Sequence, residues 1–378
     1  MATVIPPISS TKVLFFFGAG ASAPFGIPTM KQFVTDFEKE LDENAPKDER
    51  LMYHDIKDTL EKNIFREVDL EVIFSVIEGI INYDNREKLG MLSLYFFTDF
   101  RKNFPNREHK DICRKLSKKF QTFVREKCVI SDDAFDRIGD VYLDFFNRFA
   151  YELGGSIAQR GDYRYETRWK IFTTNYDTCL ECYWREVVGA GIDTGAVPDD
   201  IRHIPTIQNK RFLADSDGLK LFKLHGSINW KIEKRTGDIC EEDIPLGRSM
   251  TGRRFVGDVM LYPIAEKKLY LDPYISMLLR LNRELKNMSA CVVVGYSFND
   301  PVIREIFLRN CDSKKHLILV HPHAKQVCNN RLKEMKANLI PMEKKFGLEE
   351  SFREVNHQII HKFRKTPRFG ANDVPITI

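Results

Sequence analysis

A parallel α/β sheet with helices on both faces, interrupted by a helical insertion, is the fold this sequence predicts, on three observations. Apolar runs of strand length recur along the chain: Val13–Phe17, Trp169–Thr173, Leu221–Leu224, Ala290–Val294 and His316–Val320. The unbroken run Val13–Phe17 suits a strand buried on both faces, as parallel strands are. Most of the runs are followed by a stripe at helical spacing, the alternation that builds a doubly wound sheet. Between the first run and the second lies a long stretch in which only helical spacing occurs.

Residues 1–11, with Pro6 and Pro7, read as an irregular arm. Val13–Phe17 ends in Gly18, Ala19 and Gly20, small residues that let the backbone turn tightly and approach a ligand. After Pro28, Met30, Phe33, Val34, Phe37 and Leu41 repeat every three or four positions, so a helix follows the glycine loop. The same spacing from Leu51 to Ile80, over Met91–Phe97 and from Phe120 to Phe149 predicts a helical subdomain over residues 49–150. The sheet resumes near residue 151. A helix from Cys179 follows the second strand, residues 191–217 read as a long loop, and residues 231–254 are polar and irregular, with a possible strand at Phe255–Leu261. Helices are expected from Pro273, from Val302 and over Lys325–Met335, and a last amphipathic piece at Phe352–Phe363. The expected domains are 12–48 with 151–340 for the sheet, 49–150 for the helices, and 341–378 for a C-terminal helix and tail.

Composition excludes several classes. No apolar run approaches the roughly 20 residues of a membrane span, and the first residues lack the charged-then-apolar order of an export leader. The formal charge of +4 over 378 residues gives no argument for nucleic acid. The basic clusters Arg114–Lys119 and Lys362–Arg368 read as solvated surface. Cys179 and Cys182 are the only cysteines separated by two residues, so no four-cysteine zinc module is available. The cysteines are expected as reduced thiols in a cytoplasm.

Open parallel sheets bind ligands outside the carboxyl ends of their strands. Four polar motifs fall at such ends: Gly18–Ser22, Thr173–Asp177, His225–Ser227 and Gly295–Asp300. A glycine loop between a strand and a helix offers N–H groups to a pyrophosphate, and Ser22 adds a hydroxyl. The spacing is neither the Walker loop nor the dinucleotide fingerprint, and a tight turn whose glycines serve only packing explains the loop equally well. Asn175 and His225 are the amide and the ionisable group of a reacting centre. A histidine side chain can titrate near neutrality, and an asparagine can orient water or a ribose hydroxyl without carrying charge. The plainer alternatives are a hydrogen-bonded structural histidine and a turn or cap asparagine. Asp177 either binds ribose or caps the helix after it.

Taken together, GAGAS with GIP three residues on (Gly18–Ser22, Gly26–Pro28), TTNYD (Thr173–Asp177), LHGS (Leu224–Ser227) and GYSFND (Gly295–Asp300) resemble the motif set of the sirtuin-like NAD-binding fold. The set looks closest to the bacterial anti-phage branch that hydrolyses NAD. The resemblance implies a sirtuin-like, Rossmann-like sheet in which Ala19, Gly20 and Ser22 hold the pyrophosphate and Asn175 and Asp177 lie beside the nicotinamide ribose. It implies His225 as the catalytic histidine and Ser297 on the adenosine side, with Gly18, Thr174 and Gly295 completing the NAD-binding set. Deacylating members of the family carry a zinc module of four cysteines, and a phenylalanine and an arginine after the Gly-Ile-Pro turn; here the cysteine spacing is missing, and Thr29 and Met30 stand at the turn. The implied reaction is therefore hydrolysis of NAD to nicotinamide and ADP-ribose without a metal, using water positioned by Asn175 and deprotonated by His225 directly or through a ribose hydroxyl. The implied partners are further copies of the chain and a HerA-type hexameric ATPase, with no membrane and no sequence-specific nucleic acid. The alternatives are a sensor that binds NAD or ADP-ribose without turnover, an NAD-dependent protein deacylase, and a scaffold in which the helical part carries the function.

Overall fold

The computed structural model describes residues 13–63, 68, 70–81, 107–152, 169–188, 192–198, 205–214, 219–242, 255–258, 260 and 272–346. The strands in chain order are β1 (Val13–Phe17), β2 (Lys170–Thr173), β3 (Ala196–Pro198), β4 (Pro205–Ile207), β5 (Lys220–Lys223), β6 (Trp230–Glu233), β7 (Ile239–Glu241), β8 (Phe255–Asp258), β9 (Ala290–Val294), β10 (His316–Val320) and β11 (Asn338–Met342). The longer helices are α1 (Met30–Asn44), α2 (Lys47–Asn63), α3 (Leu70–Ile81), α4 (Arg107–Lys127), α5 (Asp132–Glu152), α6 (Tyr274–Asn287), α7 (Pro301–Asn310) and α8 (Ala324–Arg331).

Six strands, all parallel, form one sheet in the order β11-β10-β9-β1-β2-β5. The chain winds from β1 through β2 to β5 on one side, then returns to lay β9, β10 and β11 on the other. The carboxyl ends of β1 and β9 therefore flank the topological switch point, where sheets of this kind hold ligands. The central strand shows why both faces must be covered. Phe15 and Phe17 share one face and each meets Phe145 of α5 edge-on at 5.9 Å, while Phe16, on the other face, meets Phe307 of α7 at 5.3 Å. All three phenylalanines are fully buried. Each contributes about 2–3 kcal/mol of apolar burial.

A second, antiparallel sheet has the order β3-β4-β7-β6-β8. Most of it occupies segments that the sequence reads as a long loop (191–217) and as irregular chain (231–254), while β8 falls within the possible strand at Phe255–Leu261. Strands of three or four residues are too short to show alternation, and their pairing supplies what local pattern lacks. The parallel strand β11 likewise has no counterpart in the sequence reading. It lies at an edge of its sheet, where Pro341 costs no ladder bond with a further strand.

Contacts divide the chain into two compact units, residues 1–26, 130–259 and 270–378, and residues 27–129 with 260–269. The first holds both sheets. The second is built from α1 to α4 around Phe37, whose ring lies 5.2–5.7 Å from Tyr53, Phe74, Phe120 and Phe123. Helix α1 starts where Gln32 Oε1 accepts from the Thr29 amide at 2.8 Å, a bond of the capping-box type. This division differs from the sequence boundaries in two helices: α1 groups with the helical unit through Phe37, and α5 groups with the sheet through Phe145. The Met91–Phe97 stripe, the return segment near residue 155 and the Phe352–Phe363 piece lie outside the described residues. Among the described residues no helix is long and apolar enough to cross a membrane.

Candidate active site

The four polar motifs converge at the carboxyl edge of the parallel sheet. After β1 the chain makes two successive 3-10 turns, Ala19–Ala21 and Ala23–Phe25. The Gly18 amide donates to Val294 O and the Gly20 amide to Gly295 O, both at 2.9 Å, while Ala21 and Ser22 bond back to Gly18 and Ala19. Four of the five amides from Gly18 to Ser22 are thus already used, and only Ala19 N–H has no acceptor among the described residues. This corrects the expectation of a row of open donors facing a pyrophosphate. The glycines are required by packing: a Cβ on Gly18 would come within 2.7 Å of Gly295 O, and one on Gly295 within 2.4 Å of the Gly20 carbonyl carbon.

Asn175 locks the next loop onto this one. Its Nδ2 donates to Gly18 O at 2.9 Å and to Ser22 Oγ at 2.8 Å, and its amide donates to Thr173 Oγ1 at 3.0 Å. Ser22 is therefore turned inward as an acceptor and is 1% exposed. With Nδ2 committed to the loop, Asn175 keeps Oδ1 as an acceptor bonded to none of the described residues. Thr174 stands beside it, half-buried, with its amide on Phe17 O.

Asp177 faces inward. Its Oδ1 accepts from the Cys179 amide at 3.0 Å, a bond that turns the chain into the short helix that follows. Burial first, then the neighbouring Asp177 carboxylate, pushes the Cys179 thiol well above its usual range, so this cysteine remains a protonated core group. All eight cysteines are buried and free of disulfides. Behind the loop, Lys223 of β5 has a fully buried side chain and donates to Glu181 Oε1 at 2.7 Å and to the carbonyls of Tyr176 and Asp177. The Tyr176 carbonyl also accepts from Ser227 Oγ and from the Ile228 amide. These bonds tie the loop after β2 to the loop after β5.

His225, 7% exposed, lies two residues beyond β5, and its Nε2 is 3.2 Å from Asp300 Oδ2. Asp300 ends the segment after β9 and caps α7. In the same segment Phe298 has φ +57°, a left-handed conformation unusual for a bulky side chain, and its carbonyl is held by Arg304 Nη1 at 3.1 Å. Ser297 is half-buried beside it. Sequence reasoning found every loop but assigned no site role to Asp300 or Lys223. An aspartate before Pro301 signals a helix cap and hides a second use; a lysine inside the apolar run Leu221–Leu224 was the visible sign of a buried cation needing partners.

The residues left half-buried along these strand ends are Ala19, Gly20, Thr174, Asn175, Gly295 and Ser297. They form a rim of backbone, hydroxyl and amide groups with one imidazole behind it. An elongated, polar ligand suits such a rim, with its charge met by dipoles, since the four loops carry no Lys or Arg. Among the described residues no group of three or more His, Cys, Asp or Glu side chains is placed to hold a metal ion.

Residues 170–340 match the family model of the SIR2-like domain. The SIR2-like segment spans β2 to β11 and contains Asn175, Asp177, His225, Gly295, Ser297 and Asp300, and the Gly18–Ser22 loop is hydrogen-bonded to it through Val294 and Gly295. The parallel sheet, its flanking helices and the helical insertion make a Rossmann-like fold of the sirtuin type. No curated relative matches the chain. Similar solved structures include a Sir2 homolog in complex with NAD, at 13% identity over 93% of this chain and 89% of that one with a TM-score of 0.40. Another is a mutant Sir2 homologue with 2'-O-acetyl ADP ribose, at 14% identity over 95% and 94% with a TM-score of 0.41. A third is a Sir2 complex with a p53 peptide and NAD+, at 13% identity over 93% and 92% with a TM-score of 0.37.

Proposed function

We propose that this site binds NAD+ and cleaves the bond between nicotinamide and ribose, with water as the acceptor. The supporting observation is the placement of Asn175 and His225 at neighbouring strand ends, with Asn175 Nδ2 held by the glycine loop and His225 Nε2 by Asp300. Loss of nicotinamide develops oxocarbenium-like charge on the sugar, and fixed carbonyl, hydroxyl and amide dipoles along the rim stabilise that charge without reorganising. Asn175 Oδ1 accepts from water or from a ribose hydroxyl, and His225 takes up the proton released. Gly295 and Ser297 lie beside the switch point and suit the adenosine side, while Ala19 N–H supplies the one loop donor for the pyrophosphate. The defence role and the HerA-type partner implied by the resemblance are not part of this proposal.

A second reading has its own observation. His225 is largely covered and its Nε2 is engaged, which fits a module that binds NAD or ADP-ribose without turning it over. An acylated lysine as acceptor makes the third. One assay separates them: nicotinamide released from NAD by the full chain, with and without an acetyl-lysine peptide, beside NAD and ADP-ribose binding by calorimetry. Release without peptide is expected, falling by about 10²-fold or more in His225→Ala and in Asn175→Ala. Full turnover in either variant overturns the assignment. Binding without release points to the sensor, and release only with peptide to the deacylase.

A further inference from the structure

We propose that Asp300 is the positioning residue of His225: its second carboxylate oxygen fixes the orientation and tautomer of the imidazole for the proton transfer assigned above, an inference that rests on the NAD-cleaving reading. Asp300 divides its two oxygens. Oδ1 takes the helix-capping bonds, from the Val302 amide at 2.9 Å and the Ile303 amide at 3.2 Å. These satisfy orphan donors at the start of α7, and a cap needs no more than one oxygen. Oδ2 instead faces His225 Nε2 at 3.2 Å. The partners leave the sheet from β5 and β9, three strands apart in its order, so the bond joins loops that share no ladder.

The carboxylate is a fixed point. It is 5% exposed, it cannot swing away without giving up the cap, and Pro301 stiffens the chain immediately after it. The left-handed Phe298 two residues earlier, with its carbonyl held by Arg304, shapes the segment that delivers it. A fixed carboxylate accepting from Nε2–H leaves the lone pair of the neutral ring on Nδ1, so one tautomer is held and Nδ1 becomes the basic nitrogen. Once the ring has taken up a proton, the same carboxylate is its counter-charge.

Two substitutions separate this from simple capping. Asn and Ser cap helices about as well as Asp, so Asp300→Asn and Asp300→Ser preserve the start of α7 while altering or removing Oδ2. Nitrogen NMR of protein labelled at its nine histidines, with the His225 signals assigned by their loss in His225→Gln, reads the tautomer directly. In the wild type His225 is expected protonated on Nε2, and in Asp300→Ser the signals should move to a mixture of tautomers. In parallel, kcat for nicotinamide release should fall at least about tenfold in both variants, with KM for NAD and the melting temperature little changed. An unchanged tautomer in Asp300→Ser, or wild-type kcat in both variants, overturns the positioning role. If the wild-type chain releases no nicotinamide yet Asp300→Ser loses the Nε2-protonated form, the hydrolase reading fails while the His225–Asp300 pairing stands.

Discussion

Gly295 carries two separate demands, and they explain why this loop reads ambiguously from sequence. Its φ is +65°, in the region that favours glycine, and a Cβ there would lie 2.4 Å from Ala21 N and from the Gly20 carbonyl carbon. Gly26 provides the control: its φ is +81°, but a Cβ there meets nothing within 4 Å. Gly26→Ala should therefore cost only the conformational term, about 1–2 kcal/mol. Gly295→Ala adds backbone overlap and should cost more than about 3 kcal/mol, with loss of NAD binding, since the Gly18–Ser22 loop must move. Urea midpoints for the two variants and NAD titration of each check this; equal losses would show that the overlap relaxes freely. A run such as Gly-Ala-Gly announces a close approach, but it does not say to what. Here the neighbour is another stretch of the same chain, more than 250 residues away by any count from the first loop to Gly295, and no local pattern carries that information. Asn175 and His225 stood out in the sequence only through their place at strand ends beside the glycine loop, since each alone is explained as well by a turn, a cap or a structural hydrogen bond. Asp177 and Asp300 were not separable in the same way, since an aspartate before a helix serves as a cap, and only the structure shows that Asp300 spares an oxygen for His225.

At the scale of elements, the site depends on two loops held together from behind. Lys223 lies on the last strand of the parallel sheet, with Glu181 and two carbonyls of the Asn175 loop as its acceptors. Replacing it with methionine leaves Glu181, largely covered and near the Glu241 carboxylate, without its cation. The expected loss is about 3–5 kcal/mol, as for other buried pairs broken on one side. Adding Glu181→Leu should recover part of that loss, and what is not recovered measures the carbonyl bonds. Urea unfolding of the two single variants and the double variant gives the cycle, and a Lys223→Met protein as stable as the wild type would sink the claim. The same contrast between local and distant causes sorts the elements. β1, β9 and β10 match their predicted spans residue for residue, because a run of four or five apolar residues ended by Gly or His permits little else. The strands β3, β4, β6 and β7 are stabilised by their partners across the second sheet, and β11 by β10 alone, so their own sequences say little.

For the molecule as a whole, the two ends of the parallel sheet answer acid differently from a protein whose histidines all lie in solvent. His316 opens β10 at the amino end, away from the site, between Ala290 of β9 and Asn338 of β11. It is 4% exposed, and neither ring nitrogen has a partner among the described residues. Burial therefore holds its pKa below the usual 6.5. His321, at the carboxyl end of the same strand, is shifted the same way by burial and then by the neighbouring His323. The sign follows from proton counting. With the folded value depressed, the unfolded chain binds the proton first, so stability is complete above about pH 6.5 and falls as pH drops from there towards the folded value. Carboxylates add their own losses only at lower pH, which leaves a window near pH 6 in which histidine dominates. Urea midpoints measured from about pH 7.5 down to about pH 5.5 should decline in the wild type and decline less in His316→Leu, while His321→Gln removes a smaller share because its ring is only half-buried. A slope identical in His316→Leu and wild type would mean that the ring takes up its proton equally in the folded and unfolded states, and that the acid response of this fold originates elsewhere.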